Sequence, residues 1–480
     1  MKESLREINE QKAEQFLNTF YFQYGHRSIA DLAHIAFALE RLSLLAAIAV
    51  VDEQRWDGQE RSTRYQDFSH PRYYVPAFGG NAGAQQLFVS TIESLFSEYR
   101  QLSRDSFAAL CARTPRPAAM SQEQYERTLQ ARAFDIARYW LPLATTTSLG
   151  QIVNARTLEA QVSRLLSSRF AEVREIGAKL KQAARDPAYD VDAARKQELY
   201  QELLTHDRQG LEDFHDLLMK EVHPAPTLVK YAEPSRYVSE TRGELDAAAT
   251  ELMAGAAVEN SPGVDLLDDE PVEIELAATL LYEHCHFSYR QVRERVEALS
   301  AARRQEIIDL GRRHRGPHDE LVRACCSGLR FRFDILMDVG GFRDLHRHRR
   351  CIQIGQEFSF AHGFETPGEV AGSSFAARYA AAMARPAAAA SQIAAELESS
   401  GQSGHDALYL MPLAYRKRTL FKMDFAEVVY ISELRTAPAG HFSYRQIAWQ
   451  MYEAVARRHP ALAGYFRVHD PNEPSDLLQR

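Results

Sequence analysis

Cysteine is scarce in this 480-residue sequence: five in all, at Cys111, Cys285, Cys325, Cys326 and Cys351, with no CxxC pair and no zinc-type spacing. That usage excludes a disulfide framework or a zinc module and leaves reduced, packed thiols. HxH pairs at His284/His286 and His346/His348 lack further ligands at metal-binding spacing and are set aside. Long apolar runs are missing as well. The most apolar stretch, Leu44–Val51, has 8 residues, well short of the roughly 20 needed to span a bilayer. No membrane association is expected. Positive charge is not in excess, because 57 Lys and Arg face 65 Asp and Glu and the pI is about 6.1. This balance argues against a protein that binds by neutralising a nucleic-acid polymer, although a local arginine cluster could still take a small anion. The opening MKESLREINEQKAEQF is charged and helix-like, without the apolar core of a signal peptide, so a cytoplasmic location is expected.

What is present is enough chain for more than one hydrophobic core, and two domains are the simplest count. Residues 1–225 read mainly as helices, with a strongly apolar, buried segment from Ile29 to Val51 and little sign of strands. Phe88, Ile92, Leu95, Tyr99 and Leu102 recur at helical spacing, and a similar pattern runs from Arg164 to Leu180. Residues 226–270 carry prolines and the acidic, turn-rich NSPGVDLLDDEP, which suits a linker or connecting arm. Residues 271–480 form the second domain. There VEIELAATLLYEH reads as a strand followed by a helix, and the Ala-rich Phe375–Ser403 as an exposed helical insertion. HFSYRQV at His286–Val292 is echoed by HFSYRQI at His441–Ile447, by duplication or by a shared local role.

In the first half, YGHRSIAD at Tyr24–Asp31 and QERSTRY at Gln59–Tyr65 resemble two segments of flavin-dependent thymidylate synthases, YGHxSxxEH and RHRxxSxNExSxRY. Glu60, Ser62, Arg64 and Tyr65 fall on the final ExSxRY, while the opening RHR falls on Asp52, Glu53 and Gln54. IARYWLP at Ile136–Pro142 resembles the family's ARyxLP and puts Arg138 on its substrate-contacting arginine. NAR at Asn154–Arg156 and EVR at Glu172–Arg174 resemble the later NxR and EIR. In the second half, FRDLHRHRR at Phe342–Arg350 resembles QLxRHR, with Arg347, His348 and Arg349 on the RHR and Asp344 where glutamine is usual. The following IGQEFSF does not restore ExSxRY, and LYLMP at Leu408–Pro412 replaces the ARyxLP arginine with Leu408. Counted from the LP proline, the family's pyrimidine-gripping arginine falls on Leu165 in the first half and on Arg435 in the second. No YGHxSxxEH segment is found in the second half, where Ser327 stands at the position of its glutamate.

The resemblance implies an α+β chain of two fused copies of that fold, each a mixed sheet flanked by long helices, packed about a pseudo-twofold axis. It implies methylation of dUMP to dTMP with FAD as cofactor and NADPH and methylene-tetrahydrofolate as co-substrates. The copies lose complementary parts of the signature, so one composite site is expected. Glu60, Ser62, Arg64 and Arg138 would come from the first copy, Arg347, His348, Arg349 and Arg435 from the second. Arg347 and Arg435 take the catalytic roles, the arginines answering to phosphate and to charge developing on the pyrimidine. His26, Ser28, Asp31, Asn154, His348 and Arg349 would touch flavin. A reciprocal site lined by Asp52, Glu53, Gln54 and Leu408 should ignore phosphate. The expected partners are a pyrimidine nucleotide and a second copy of the chain. Two other readings stay open: C5 modification of another pyrimidine nucleotide, and a non-catalytic nucleotide- or flavin-binding protein.

Overall fold

The computed structural model describes residues 27–68, 72–204, 215, 219, 221–224, 229, 232–259, 261–316, 321–372, 375–473 and 477–478. His26 and the start of the connecting arm lie outside the described residues. The chain divides into two compact units, one of Met1–Ala38, Arg55–Gln59 and Gly150–Ser235, the other of Leu39–Gln54, Glu60–Leu149 and Arg236–Arg480.

The apolar segment from Ile29 to Val51 is not one element. It holds strand β1 (His34–Ser43), whose exposure varies along its length, and helix α1 (Leu44–Val51), almost wholly buried and capped by the Ser43 hydroxyl accepting from Ala46 N at 2.9 Å. β2 (Asp57–Glu60) follows. α2 (Ala82–Arg113) starts at Asn81, which caps Ala84 N, and buries Phe88, Ile92, Leu95, Phe96 and Tyr99 at the predicted helical spacing. Each such side chain contributes about 1.5–3 kcal/mol by leaving water. α3 (Gln122–Ala137) runs into a 3-10 turn at Arg138–Trp140, then β3 (Thr146–Asn154), α4 (Ala155–Leu166), α5 (Ala171–Arg185) and α6 (Ala193–Leu204). The strands of this half form a sheet in the order β1-β3-β2. Composition hid them, since only part of each strand alternates between apolar and polar.

Within the segment read as a connecting arm, α7 (Arg236–Leu252) buries Tyr237, Thr241, Leu245 and Ala249 at four-residue intervals. β4 (Val264–Leu266) follows. α8 (Val272–Tyr282) is helical from its first residue, where a strand start was expected. Its early V-E-I-E-L alternation is overridden because Glu275 turns inward onto Lys422 Nζ at 2.8 Å, so both faces are buried. α9 (Tyr289–Glu297) and α10 (Ala301–Leu310) share one apolar core with α7 and α8. Then come β5 (Phe331–Asp338), α11 (Val339–Leu345), β6 (Ile352–Gly355), the short α12 (Gly368–Ala371) and α13 (Ala376–Ser399). The Ala-rich α13 is helical as expected but not an exposed insertion. It packs on α2 and buries Tyr379, Met383, Pro386, Ile393 and Leu397. β7 (Arg416–Met423), α14 (Phe425–Thr436) and α15 (Phe442–Arg458) follow, and then a 3-10 turn at Pro460–Tyr465. The second sheet has the order β4-β5-β7-β6, with every pair antiparallel rather than mixed, because β5 and β6 both run opposite to the strand between them.

The order β1-β3-β2 reappears as β5-β7-β6. Matching backbone bonds accompany it. Leu44 N donates to Thr145 O at 2.9 Å and Leu45 N to Leu143 O at 3.2 Å; Val339 N donates to Tyr415 O at 2.9 Å and Gly340 N to Leu413 O at 3.0 Å. The two LP segments meet face to face, with Pro142 bridging Pro412, Leu143 N donating to Met411 O at 2.8 Å and Leu413 N to Leu141 O at 2.9 Å. Proline cannot donate, so each LP segment relies on the amide after its proline.

Candidate active site

The site begins where α3 ends and where the turn after β2 comes back. Arg64 is buried, and its guanidinium makes a bidentate pair with Asp135, Nε to Oδ1 at 2.7 Å and Nη2 to Oδ2 at 3.0 Å. Nη1 donates to Tyr444 Oη at 2.9 Å and Nη2 to Ala439 O at 3.1 Å. Most of its donors are therefore committed inside the protein, which makes Arg64 a clamp rather than an open fork for phosphate. Ser62 Oγ accepts from Arg64 N at 3.2 Å and shapes the same turn. Glu60 is buried against Arg343, whose Nη1 also reaches Thr63 Oγ1 at 3.5 Å.

Arg138 caps the C-terminus of α3 and is 1% exposed. Its Nη1 lies 3.4 Å from Asp344 Oδ2, and its Nε and Nη2 have no hydrogen-bond partner among the described residues. Gly340 gives it room, since a Cβ there would stand 3.4 Å from both of those nitrogens. Asp344 and the RHR run sit on α11 and the turn after it, a helix started by Asp338 accepting from Gly341 N at 2.7 Å. Burial alone would raise the Asp344 carboxyl, but the charges of Arg138, Arg64, Arg347 and Arg435 outweigh it and hold the group below its ordinary range. Four predicted arginines thus act on one half-buried carboxylate. Arg347 is exposed, and among the described residues neither it nor Arg435 has a carboxylate at ion-pair distance.

Arg435, in the last turn of α14, donates from Nε to His348 Nε2 at 2.7 Å and lies over the Tyr444 ring at 5.5 Å; Arg64 flanks the same ring at 5.7 Å. His348 accepts at Nε2, so its proton sits on Nδ1, 3.6 Å from Glu427 Oε1. Burial first, then the charges of Arg435 and Arg349, lower its pKa against the pull of Glu427, and the ring stays neutral. His348 orients Arg435; it does not present a free nitrogen. Arg349 instead lines a cleft with about 250 Å³ of open space, together with Asp52, Glu53, Gln54, Arg323 and His346. The first three are the stand-ins for RHR, two of them acidic, and Asp52 is held by Arg323 at 2.5 Å. Leu408 is not part of that lining.

Sequence reasoning passed over Asp135, Arg343, His441 and Tyr444. His441 is fully buried, accepts at Nδ1 from Ser443 N at 3.2 Å, and so donates from Nε2 to Asp135 O at 3.0 Å. Burial, with Arg138 and Arg64 close by, pushes it well below the usual histidine range. Two signals could have found these groups: the HFSYR echo holds His441 and Tyr444, and Asp135 lies one helical turn before Arg138.

In the other unit, Asn154 caps α4 by accepting from Thr157 N at 2.8 Å, and Arg156 lies 3.6 Å from Asp31. Ser28 belongs to the 3-10 turn that contains Asp31, and Asp31 Oδ1 is buried with no hydrogen-bond partner among the described residues. An orphan acceptor beside a helix start and an arginine fits the hydroxyl and phosphate groups of a dinucleotide.

A family model described as "Thymidylate synthase complementing protein" matches residues 1–188 and 265–461. The chain belongs to this family. Over 97% of its length it is 28% identical to a UPF0159 protein of Chlamydia muridarum, covering 83% of that protein, and 24% identical to a UPF0159 protein of Thermoplasma acidophilum, covering 91% of it. A flavin-dependent thymidylate synthase of Clostridium tetani is 24% identical over 33% of this chain and 60% of its own length. The two segments matched by the thymidylate synthase complementing model leave residues 189–264 between them, which include α6 and α7. No helix among the described residues is long and apolar enough to cross a membrane.

Proposed function

We propose that this chain is two fused copies of the thymidylate synthase complementing fold, related by a pseudo-twofold axis, and that it methylates dUMP to dTMP at one composite site. The observation that carries this reading is the convergence of Arg64, Arg138, Arg347 and Arg435 on Asp344, two from each half of the chain. Loss of complementary signature parts in two copies would leave one working set, and the shared influence of these arginines on Asp344 supports that reading. Ser28, Asp31 and Asn154 would hold FAD, which would supply the hydride, with electrons from NADPH and carbon from methylene-tetrahydrofolate.

The chain's own residues bind and polarise the nucleotide. Arg347 and Arg435 meet the anionic parts of the ligand, where planar guanidinium groups give charge-assisted bonds. Arg435, fixed by neutral His348, stabilises negative charge developing on the pyrimidine carbonyls without having to reorganise. Arg64, itself held by Asp135, fixes the Tyr444 hydroxyl, and both Arg64 and Arg435 lie against the Tyr444 ring. No protein nucleophile is required. A cytoplasmic location and a homodimer of two-copy chains complete the proposal.

The test is tritium release from C5-labelled dUMP with NADPH and methylene-tetrahydrofolate, read beside the flavin absorption of the purified protein. The expected result is a yellow protein that releases tritium and loses turnover in Arg347→Ala. A colourless protein that binds no nucleotide overturns the reading, and full activity in Arg347→Ala removes the composite site.

A further inference from the structure

In the arginine cluster, charge can be counted pair by pair. Arg64 is neutralised by Asp135 through two short bonds. Arg138 faces Asp344 at 3.4 Å and is almost wholly enclosed, so Asp344, with 17% of its side chain exposed, is the part of that pair a ligand meets. Arg343 is matched by Glu60. His348 and His441 are neutral, each accepting a hydrogen bond on one ring nitrogen. Arg347 and Arg435 remain as the two cations without a carboxylate at ion-pair distance among the described residues. The two open arginines, Arg347 toward the phosphate and Arg435 toward the pyrimidine, together match the net charge of a nucleoside monophosphate, roughly −1.5 to −2 near neutral pH. A second phosphate would bring its added charge toward a carboxylate that stays ionised.

We propose that Asp344 is a specificity-determining residue of this site: by occupying Arg138 it limits the positive charge on offer, so that the site takes a nucleoside monophosphate and turns away the diphosphate. The inference rests on the nucleotide-binding reading above. Neutralising Asp344 leaves Arg138 with only the buried Asp338 carboxylate as a nearby counter-charge among the described residues, and removes the carboxylate that a second phosphate would face. Binding of dUMP, which already has two arginines, gains little.

The test is equilibrium binding of dUMP and dUDP to the full-length protein, at low and at physiological salt, for wild type, Asp344→Asn and Asp344→Gln. Wild type is expected to bind dUMP at least tenfold more tightly than dUDP. Either variant should tighten dUDP by about tenfold or more and dUMP by less than threefold, with the difference shrinking as salt rises. Equal shifts for the two nucleotides, or no shift, overturn the proposal. If neither variant folds, wild type still decides, because equal affinity for dUMP and dUDP is incompatible with the charge limit. Failure of wild type to bind either nucleotide is a different result and removes the nucleotide reading itself.

Discussion

Arg64 shows how a residue legible by type can be illegible by role. The sequence pattern assigns it to the expected site as a phosphate arginine, whereas in the structure it flanks the Tyr444 ring as the partner of Asp135, with side-chain exposures of 8% and 4% for the pair. A linear motif identifies an arginine; it does not say which of its donors are already taken. The deciding partners, Asp135, Ala439 and Tyr444, are far from Arg64 in sequence. A buried ion pair is costly to break from one side because the remaining charge stays dehydrated. Asp135→Asn should therefore destabilise the fold by about 3 kcal/mol or more, measured by denaturant unfolding. The double change Asp135→Leu with Arg64→Met should cost distinctly less than Asp135→Asn alone. If the double variant is the less stable one, the pair is not the buried charge couple described here.

At the level of elements, long helices with apolar residues three and four apart were readable, and α2 buries the residues its spacing predicted. Elements whose burial depends on distant charge were not. The start of α8 passed for a strand because its inward-facing Glu275 breaks the helical stripe, and Lys422 on β7, with Arg332 and Gly328 N, explains why a carboxylate can sit there. α11 is a further case, since two consecutive glycines near its start look like a turn. They are needed for packing: a Cβ on Gly341 would stand 2.8 Å from Ser443 Oγ and 3.0 Å from Met337 Cε, whereas one on Gly340 would meet Asp338 Oδ1 at 3.1 Å and Arg138 at 3.4 Å. Alanine gains about 1 kcal/mol of helix propensity over glycine. Gly341→Ala should nonetheless lose stability, by about 1–3 kcal/mol for overpacking. Gly340→Ala should cost less stability than Gly341→Ala, because its Cβ presses only on the capping Asp338 Oδ1 at 3.1 Å and reaches Arg138 at ordinary contact distance. A Gly340→Ala protein that melts below Gly341→Ala would show that the Asp338 cap, not the contact with Ser443, limits this turn.

For the molecule as a whole, the repeated strand order and the matched backbone bonds could not be read from identity between the halves, because beyond the shared Pro-Leu-Ala of the LP segments most of the bonded positions hold different residues. Ser43 and Asp338 cap equivalent helices, as do Asn154 and Asp424, yet neither pair is alike in sequence. What is kept is hydrogen-bonding capacity at a helix start, which several residue types supply. A consequence follows for folding. One compact unit combines Leu39–Gln54 and Glu60–Leu149 with Arg236–Arg480. Its interior joins the halves through the paired LP segments, through Arg64 on Tyr444, and through His441 on Asp135 O. Residues 261–480 alone would expose those amides and the apolar residues around them, including Leu410, Met411 and Leu413, which are fully buried in the whole chain. Unpaired buried amides and lost burial each cost on the order of 1–3 kcal/mol, and a handful of them equals the 5–15 kcal/mol that stabilises an ordinary domain. The fragment 261–480 should therefore lack a cooperative unfolding transition, and co-expression with residues 1–259 should restore one together with nucleotide binding. Melting of the isolated fragment at the temperature of the intact chain would show that the second half is a self-sufficient domain, and that its bonds to the first are incidental to its stability.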